Sequence, residues 1–260
     1  MPYSLIDTHT HLYLDSFKND LSIIINNCQK NGIKKLLLPN IDSTTINAVN
    51  QLSRKYAEIC YPMMGLHPCS VKENFHSELA IIENELNKGE YIGIGEIGID
   101  LYWDRSTLDE QKLVFETQVK WAKERNLPIV IHTREAFEEV FSIIDSLNDN
   151  ELTGIFHCFT GNKEQAEHII NYGGFKLGIG GVVTYKNSGL DKTLKDIDVD
   201  HLVLETDSPY LTPTPFRGKR NESTYLTYIA EKLSSIYGCS IDDIAKKTTT
   251  NALEIFKLEK

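Results

Sequence analysis

The sequence predicts an α/β fold, a (β/α)₈ TIM barrel that forms one domain over residues 1–260. Apolar, β-rich segments alternate with segments of helical periodicity from one end of the chain to the other. Residues of metal-ligand type stand at the C-terminal ends of the first, middle and last of these strand segments. Only a closed sheet brings its first and last strands together, so this placement favours the barrel over its competitor, an open doubly wound sheet.

Eight strands are expected, interleaved with helices and followed by two helices that would cover the outside of the barrel. In the segment 107–126, Thr107 and Glu110 form a capping-box pattern, and Pro128 ends the helix before the next strand begins. The predicted strands are 4–9, 34–38, 60–66, 91–97, 128–132, 153–158, 175–180 and 202–206. The predicted helices include 19–31, 77–88, 107–126, 135–147, 163–172, 222–237 and 241–257.

The composition is that of an ordinary globular protein, with 41% hydrophobic and 25% charged residues. Its formal net charge of −10 repels polyanions, so a nucleic-acid substrate would need a local basic patch or bound metal. The five cysteines form no CxxC pair, which indicates a reducing cytosol, and Cys158 is expected to face the core. We find neither a signal peptide nor an apolar run of roughly 20 residues, so we expect a cytoplasmic protein that is not bound to membranes. A polar surface favours a monomer.

Six residues at five strand ends are candidate metal ligands. Each has an ordinary explanation when taken alone, such as a surface turn for the pair at 9 and 11 or a hydrogen-bonded core position for the other imidazoles. Glu96 is more telling, because it lies among glycines and β-branched residues with no obvious cationic partner, and a buried carboxylate needs one. The candidates are His9, His11, Glu96, His132, His157 and Asp207.

This mixture of imidazoles and carboxylates suits two divalent ions. One ion would be bound by His9, His11 and Asp207, and the other by His132 and His157, with Glu96 bridging both. Two ions about 3.5–4 Å apart can activate a water and bind both oxygens of a displacement at phosphorus. Asp207 could also accept the proton of that water, which makes Asp207 and Glu96 the expected catalytic residues. Four imidazoles favour zinc, manganese or iron over magnesium, which prefers oxygen ligands.

The motifs DTHTHL, GLHP, GEIGID, IHTREA, HCFTG, ETDSPYL and RGKRNE occur in this order and closely resemble those of the TatD family of metal-dependent deoxyribonucleases. The resemblance covers about residues 6–256 and implies an amidohydrolase-like TIM barrel that cuts phosphodiester bonds in DNA. It implies a 3′→5′ exonuclease that depends on magnesium, with DNA single strands or 3′ ends as substrate. It assigns the same six ligands and places His67 near the substrate phosphate. Ser223 stands where the family usually has proline, which puts the rigidity of that loop in doubt.

Four further residues are candidates for binding the substrate. Arg217 and Lys219 lie in the loop after the eighth predicted strand, where barrels often bind phosphate, and Asn221 could add a hydrogen bond there. Arg134 follows His132 by two residues and shares its face, although it could instead pair with an acidic residue. Charge clusters of this kind are often only solvated.

Two other functions fit parts of the pattern. The same ligand set would serve an amide, ester or lactone hydrolase, since two metal ions also promote attack at carbon. The basic loop that contains Arg217 favours an anionic phosphate substrate over these. A barrel that only binds nucleic acid or protein would be expected to have lost ligands, whereas all six are present.

Overall fold

A computed structural model describes residues 3–259, which form eight strands and nine α-helices. The strands are β1 (Leu5–Asp7), β2 (Ile33–Leu38), β3 (Cys60–Pro62), β4 (Ile94–Asp100), β5 (Ile129–Arg134), β6 (Gly154–Phe156), β7 (Phe175–Ile179) and β8 (Leu202–Leu204). The helices are α1 (Leu21–Lys30), α2 (Ile46–Lys55), α3 (Phe75–Leu86), α4 (Leu108–Arg125), α5 (Phe137–Leu147), α6 (Lys163–Asn171), α7 (Leu190–Leu194), α8 (Leu226–Tyr237) and α9 (Ile241–Ile255).

The strands run parallel and pair in chain order around a barrel. Strands β1–β3 are hydrogen-bonded in one group and β4–β8 in another. A bridge between Met64 and Ile94 joins the two groups on one side. On the other side Thr10 bridges Ser208, and the backbone N–H of Thr8 donates to Leu204 O at 3.0 Å. The first and last strands are therefore neighbours, and the predicted barrel is confirmed.

The predicted strands and helices correspond to observed ones, with ends that differ by a few residues. Helices α2 and α7 add to those named from the sequence. The capping box expected at Thr107 is wrong, because its side chain accepts from Gln111 Nε2 at 3.0 Å instead of capping the start of α4. Capping boxes are found instead at the starts of α6 and α9, on Asn162 and Ser240.

An apolar floor closes the N-terminal end of the barrel interior. It consists of buried side chains from the inner face of the barrel and of the last turn of α9. Because residues two apart on a strand share a face, the positions two residues further along these strands point into the barrel above the floor. The floor is formed by Ile6, Leu37, Met63, Val130, Ile155, Val203, Ala252, Ile255 and Phe256.

A larger apolar cluster lies between the strands and the helices that surround them, as expected for parallel strands that are covered on both faces. Gly98 allows β4 and β5 to approach closely, since a Cβ there would lie 2.0 Å from the carbonyl oxygen of His132.

In the described residues, none of the helices is both long and apolar enough to cross a lipid bilayer.

Candidate metal centre

The six residues expected to bind metal come together at the C-terminal end of the barrel. They approach from strands β1, β4, β5, β6 and β8 or from the residues that follow them directly. Glu96 lies at the centre of the group, 3% exposed, at an irregularity in the register of β4 with β5. Its two carboxylate oxygens face two separate sets of imidazoles.

The first carboxylate oxygen, Glu96 Oε2, faces the residues after β1. It lies 3.0 Å from His9 Nε2 and 3.6 Å from His11 Nε2. Asp207 approaches the same pair, with its Oδ1 at 3.8 Å from His9 Nε2 and 3.5 Å from His11 Nε2. These four residues form the set that the sequence assigned to one ion together with its bridge.

The second carboxylate oxygen, Glu96 Oε1, faces the middle strands. It lies 2.7 Å from His132 Nδ1, 3.6 Å from His157 Nε2 and 3.3 Å from His67 Nε2. The groups of residues that could bind an ion include His9 with His11 and Glu96, and His67 with Glu96 and His132. Glu96 thus lies between two sets of nitrogen donors, the position that a bridging carboxylate requires.

Surrounding imidazoles hold both carboxylates in the ionised form. Burial alone would raise the pKa of Glu96, but the charges of His67, His9 and His157 and a hydrogen bond with His132 hold the pKa well below its usual range. Burial also opposes ionisation of Asp207, yet its hydrogen bond with His11 and the nearby imidazole charges lower its pKa. Both carboxylates are therefore anionic at neutral pH and suited to bind cations.

Two histidines are oriented by partners that the sequence did not reveal. The hydroxyl of Tyr13 donates to Pro39 O at 2.6 Å, so its oxygen is free to accept from His11 Nδ1, which lies at 2.7 Å. On the other side, Asp100 Oδ2 lies 2.8 Å from His132 Nε2. Asp100 is four residues beyond Glu96 on β4, so strand alternation could have identified it.

A third overlooked residue, Glu205, lies beneath the centre and is fully buried. Its Oε1 is 2.9 Å from His157 Nδ1, a short contact that is not aligned as a hydrogen bond, and accepts from the backbone N–H of Cys158 at 2.6 Å. Burial lowers the pKa of His157, but the charges of Glu205 and Glu96 outweigh burial and raise the pKa to about 10. Glu205 precedes Asp207 by two residues, and this spacing on a strand could have identified it in the sequence.

His67, placed at the site by the family resemblance, does lie against Glu96. The backbone N–H of Cys69 donates to His67 Nδ1 at 3.0 Å, so in the neutral ring the proton is on Nε2. That nitrogen faces Glu96 and the cavity. Burial lowers the pKa of His67, but the charge of Glu96 and the hydrogen bond with it outweigh burial and raise the pKa overall. His67 is therefore arranged as a proton donor.

The centre forms the base of a cavity of about 750 Å³. Arg134 lies at its mouth, with the guanidinium 3.7 Å from the ring centre of Tyr102. Trp103 and Tyr210 also line the cavity and are 71% and 52% exposed. Cys158 lines it as well, so the expectation that it faces the core is wrong: the chain leaves β6 at Phe156, and strand alternation no longer applies.

The other candidate substrate residues lie elsewhere. Arg217 and Lys219 are exposed and stack over Tyr185 and Phe216, outside the residues that line the cavity. Asn221 is fully buried, and its side-chain amide donates to the backbone carbonyls of Thr206 and Tyr210 at 2.8 and 2.6 Å. Its polar group is thereby used in shaping the loop after β8, which corrects its assignment as a substrate contact.

The donor set fits divalent ions. His9 Nε2 and His11 Nε2 lie 3.2 Å apart, and with the His11 proton on Nδ1 toward Tyr13, its Nε2 lone pair faces the centre. Ring nitrogens of several histidines and two carboxylates thus converge at one buried place, a set of donors that suits divalent cations.

Comparison with known proteins identifies the family. The family model for TatD-related DNases matches residues 6–257. The metal-dependent hydrolase YabD of Bacillus subtilis is 38% identical over 98% of this chain and 99% of its own length. The 3′-5′ ssDNA/RNA exonuclease TatD of Erwinia tasmaniensis is 27% identical over 98% of this chain and all of its own. The crystal structure of the TatD homologue YjjV from Escherichia coli superposes with a TM-score of 0.92 at 26% identity, covering 98% of both chains. The chain therefore belongs to the TatD-related DNase family of metal-dependent hydrolases.

Proposed function

We propose that this protein hydrolyses phosphodiester bonds at the 3′ end of single-stranded nucleic acid. The observation that supports this most directly is the position of Glu96, whose two oxygens face separate sets of histidines at the base of an open cavity. One ion would be bound by His9, His11 and Asp207 and the other by His132 and His157, with Glu96 shared. When bound, the ions would polarise the phosphoryl group and lower the pKa of water.

The residues of the chain supply the proton transfers. Asp207 is ionised, and its side chain is 13% exposed toward the cavity, so it can accept a proton from the attacking water. His67 carries a proton on the nitrogen that faces the cavity and can donate it to the leaving oxygen.

The mouth of the cavity supports a nucleic-acid substrate. Among the residues described, Arg134 is the one arginine or lysine that lines the cavity, and it can contact a phosphate. Trp103 and Tyr210 offer exposed rings on which unpaired bases can stack. The name of the Erwinia relative, a 3′-5′ ssDNA/RNA exonuclease, agrees with this reading.

The test is digestion of single-stranded DNA and RNA labelled at either end, with added manganese, magnesium or zinc. A 3′→5′ exonuclease releases the 3′ label first as mononucleotide and shortens the 5′-labelled strand stepwise. Carboxylic esters and lactones are assayed in parallel, because they test the alternative function, a hydrolase that attacks carbon. Hydrolysis of these with no cleavage of nucleic acid would reject the proposal, and Glu96→Gln controls for contaminating nuclease.

A further inference from the structure

Glu205 is a buried carboxylate to which the proposed function gives no role. It follows the floor residue Val203 by two positions and precedes Asp207 by two, so its side chain points into the barrel between the apolar floor and the centre. A carboxylate in such surroundings costs several kcal/mol unless it is paired. Its partners must therefore be the groups immediately around it.

One partner is the backbone N–H of Cys158, and two histidine rings lie beside the carboxylate. His157 Nδ1 lies 2.9 Å from Glu205 Oε1, while His157 Nε2 faces Glu96. His9 also turns its Nε2 toward Glu96, and its buried Nδ1 has no hydrogen-bond partner in the described part of the chain. Glu205 Oε2 is likewise buried without a partner there. The His9 and His157 rings stack with centres 3.5 Å apart, and His9, His157 and Glu205 each place a nitrogen or oxygen within 4.8 Å of the other two.

The remaining two histidines already have such a partner. His11 Nδ1 has the hydroxyl of Tyr13, and His132 Nε2 has the carboxylate of Asp100. Histidines that bind a metal almost always donate the other ring N–H to a group of this kind, which fixes both tautomer and orientation. Glu205 is the carboxylate beneath both His9 and His157: it contacts His157 Nδ1 and lies within 4.8 Å of a ring nitrogen of His9.

We propose that Glu205 is a positioning residue that holds His9 and His157 with their protons on Nδ1, so that both Nε2 lone pairs point into the centre. Because the two histidines belong to different ions in the proposed function, Glu205 would orient one ligand of each. This inference rests on the metal centre of that proposal and not on its substrate. Gly178 makes room for the carboxylate, since a Cβ at that position would lie 2.3 Å from Glu205 Oε2.

The first test is Glu205→Gln, which keeps the size of the side chain but has one oxygen left to serve two N–H groups. We expect zinc and manganese, titrated against a chelator, to bind about 10- to 100-fold more weakly, while the urea midpoint of the metal-free protein does not fall. Glu78→Gln, on a partly buried carboxylate bonded to Ser43, should leave metal affinity unchanged. Unchanged affinity in Glu205→Gln, or a loss matched by a lower midpoint of the metal-free protein, would overturn the proposal.

A second test needs no variant. ¹⁵N NMR of the zinc-loaded wild-type protein should show His9 and His157 protonated on Nδ1 and coordinated through Nε2. Coordination through Nδ1 in either ring would refute the assignment. If the wild-type protein bound no divalent ion, the proposal of a metal centre would itself be rejected. Loss of nuclease activity alone, with metal bound as expected, would count against the substrate and leave Glu205 in its role.

Discussion

The hydroxyl of Thr206 donates to Asp7 Oδ2 at 2.6 Å, and the backbone N–H of Thr206 donates to Asp7 Oδ1 at 2.9 Å. These bonds join residues 199 positions apart and hold the end of β1 against the residues after β8. Asp7 is fully buried, and burial raises its pKa to about 7 in spite of the bonds from Thr206. The pair fixes the two chain segments that carry His9 and Asp207.

Thr206→Val should destabilise the fold by about 1–3 kcal/mol, because it leaves a buried carboxylate oxygen of Asp7 without its donor. Urea unfolding of the metal-free protein measures this change. Thr250→Val, at an exposed position of α9, should change the free energy of unfolding by less than about 0.5 kcal/mol. Equal effects of the two substitutions would show that the Asp7–Thr206 bond contributes nothing to closure.

Glu96→Gln should remove bound metal, since the shared carboxylate would lose its charge and one of its two acceptor oxygens. The effect should exceed the 10- to 100-fold loss of affinity that is typical when an outer partner is removed. Elemental analysis after dialysis provides the measurement, with the exposed Glu73→Gln as control. Retention of the wild-type metal content would exclude Glu96 as a ligand.

Arg134→Ala should weaken binding of single-stranded DNA and reduce the slope of log affinity against log salt concentration by about 1, as expected for one lost phosphate contact. Arg134→Lys should retain the slope, because it retains the charge, but lose the stacking on Tyr102. Fluorescence anisotropy at several salt concentrations measures both, with catalysis suppressed by Glu96→Gln in every protein. An unchanged slope in Arg134→Ala would remove Arg134 from the substrate site.

Trp103→Ala should raise the Kd for single-stranded DNA about 5- to 150-fold, the range that corresponds to one lost stacking contact. Hydrolysis of a small aryl phosphodiester, which has no base to stack, should keep its kcat/KM. Leu113→Ala, at an exposed apolar position of α4, is the matched control. A loss of similar size on both substrates would indicate damage to the centre rather than lost stacking.

Asp20→Asn should lower stability by about 0.5–1 kcal/mol at pH 7, because Asp20 pairs with Arg220 at a partly exposed position. The hydrogen bond from Arg220 lowers the pKa of Asp20. The contribution is therefore full above the unfolded pKa of about 3.9 and is lost as the pH falls through the lower folded value. Urea midpoints of the two proteins should converge once the pH lies below the folded pKa of Asp20, whereas Asp15→Asn, at an exposed position, should have the wild-type midpoint at pH 7. A constant difference at every pH would argue against the ion pair.

The barrel and the convergence of the six candidate ligands at one rim were predictable because both depend on local pattern. Apolar strand segments such as that before His132 end in ligand-type residues, and parallel strands place those ends at one rim. The partners of the histidines were not predicted from the sequence. Strand alternation would have identified Asp100 and Glu205, which lie an even number of residues from Glu96 and Asp207. Tyr13 could not be foreseen, since its role depends on the position of Pro39, which directly follows the neighbouring strand β2.

The directions of the side chains in the loop after β8 could not be predicted, for a different reason. A run of basic residues indicates charge but not direction, and the structure turns Arg217 outward and pairs Arg220 with Asp20. Asn221 has a polar side chain, but its amide group already donates hydrogen bonds to two backbone carbonyls. The partners of Arg220 and Asn221 lie far away along the chain or are set by the path of an irregular loop. The spacing of residues in the sequence reveals neither kind of partner.

The adjacency of β1 and β8 also determines when activity can arise during synthesis. His9 leaves the ribosome early, but Asp207 follows almost two hundred residues later. Contacts between residues this far apart can form only after both have been synthesised. A nascent chain that ends before Asp207 therefore lacks one of the residues expected to bind metal, and the centre cannot be completed in it.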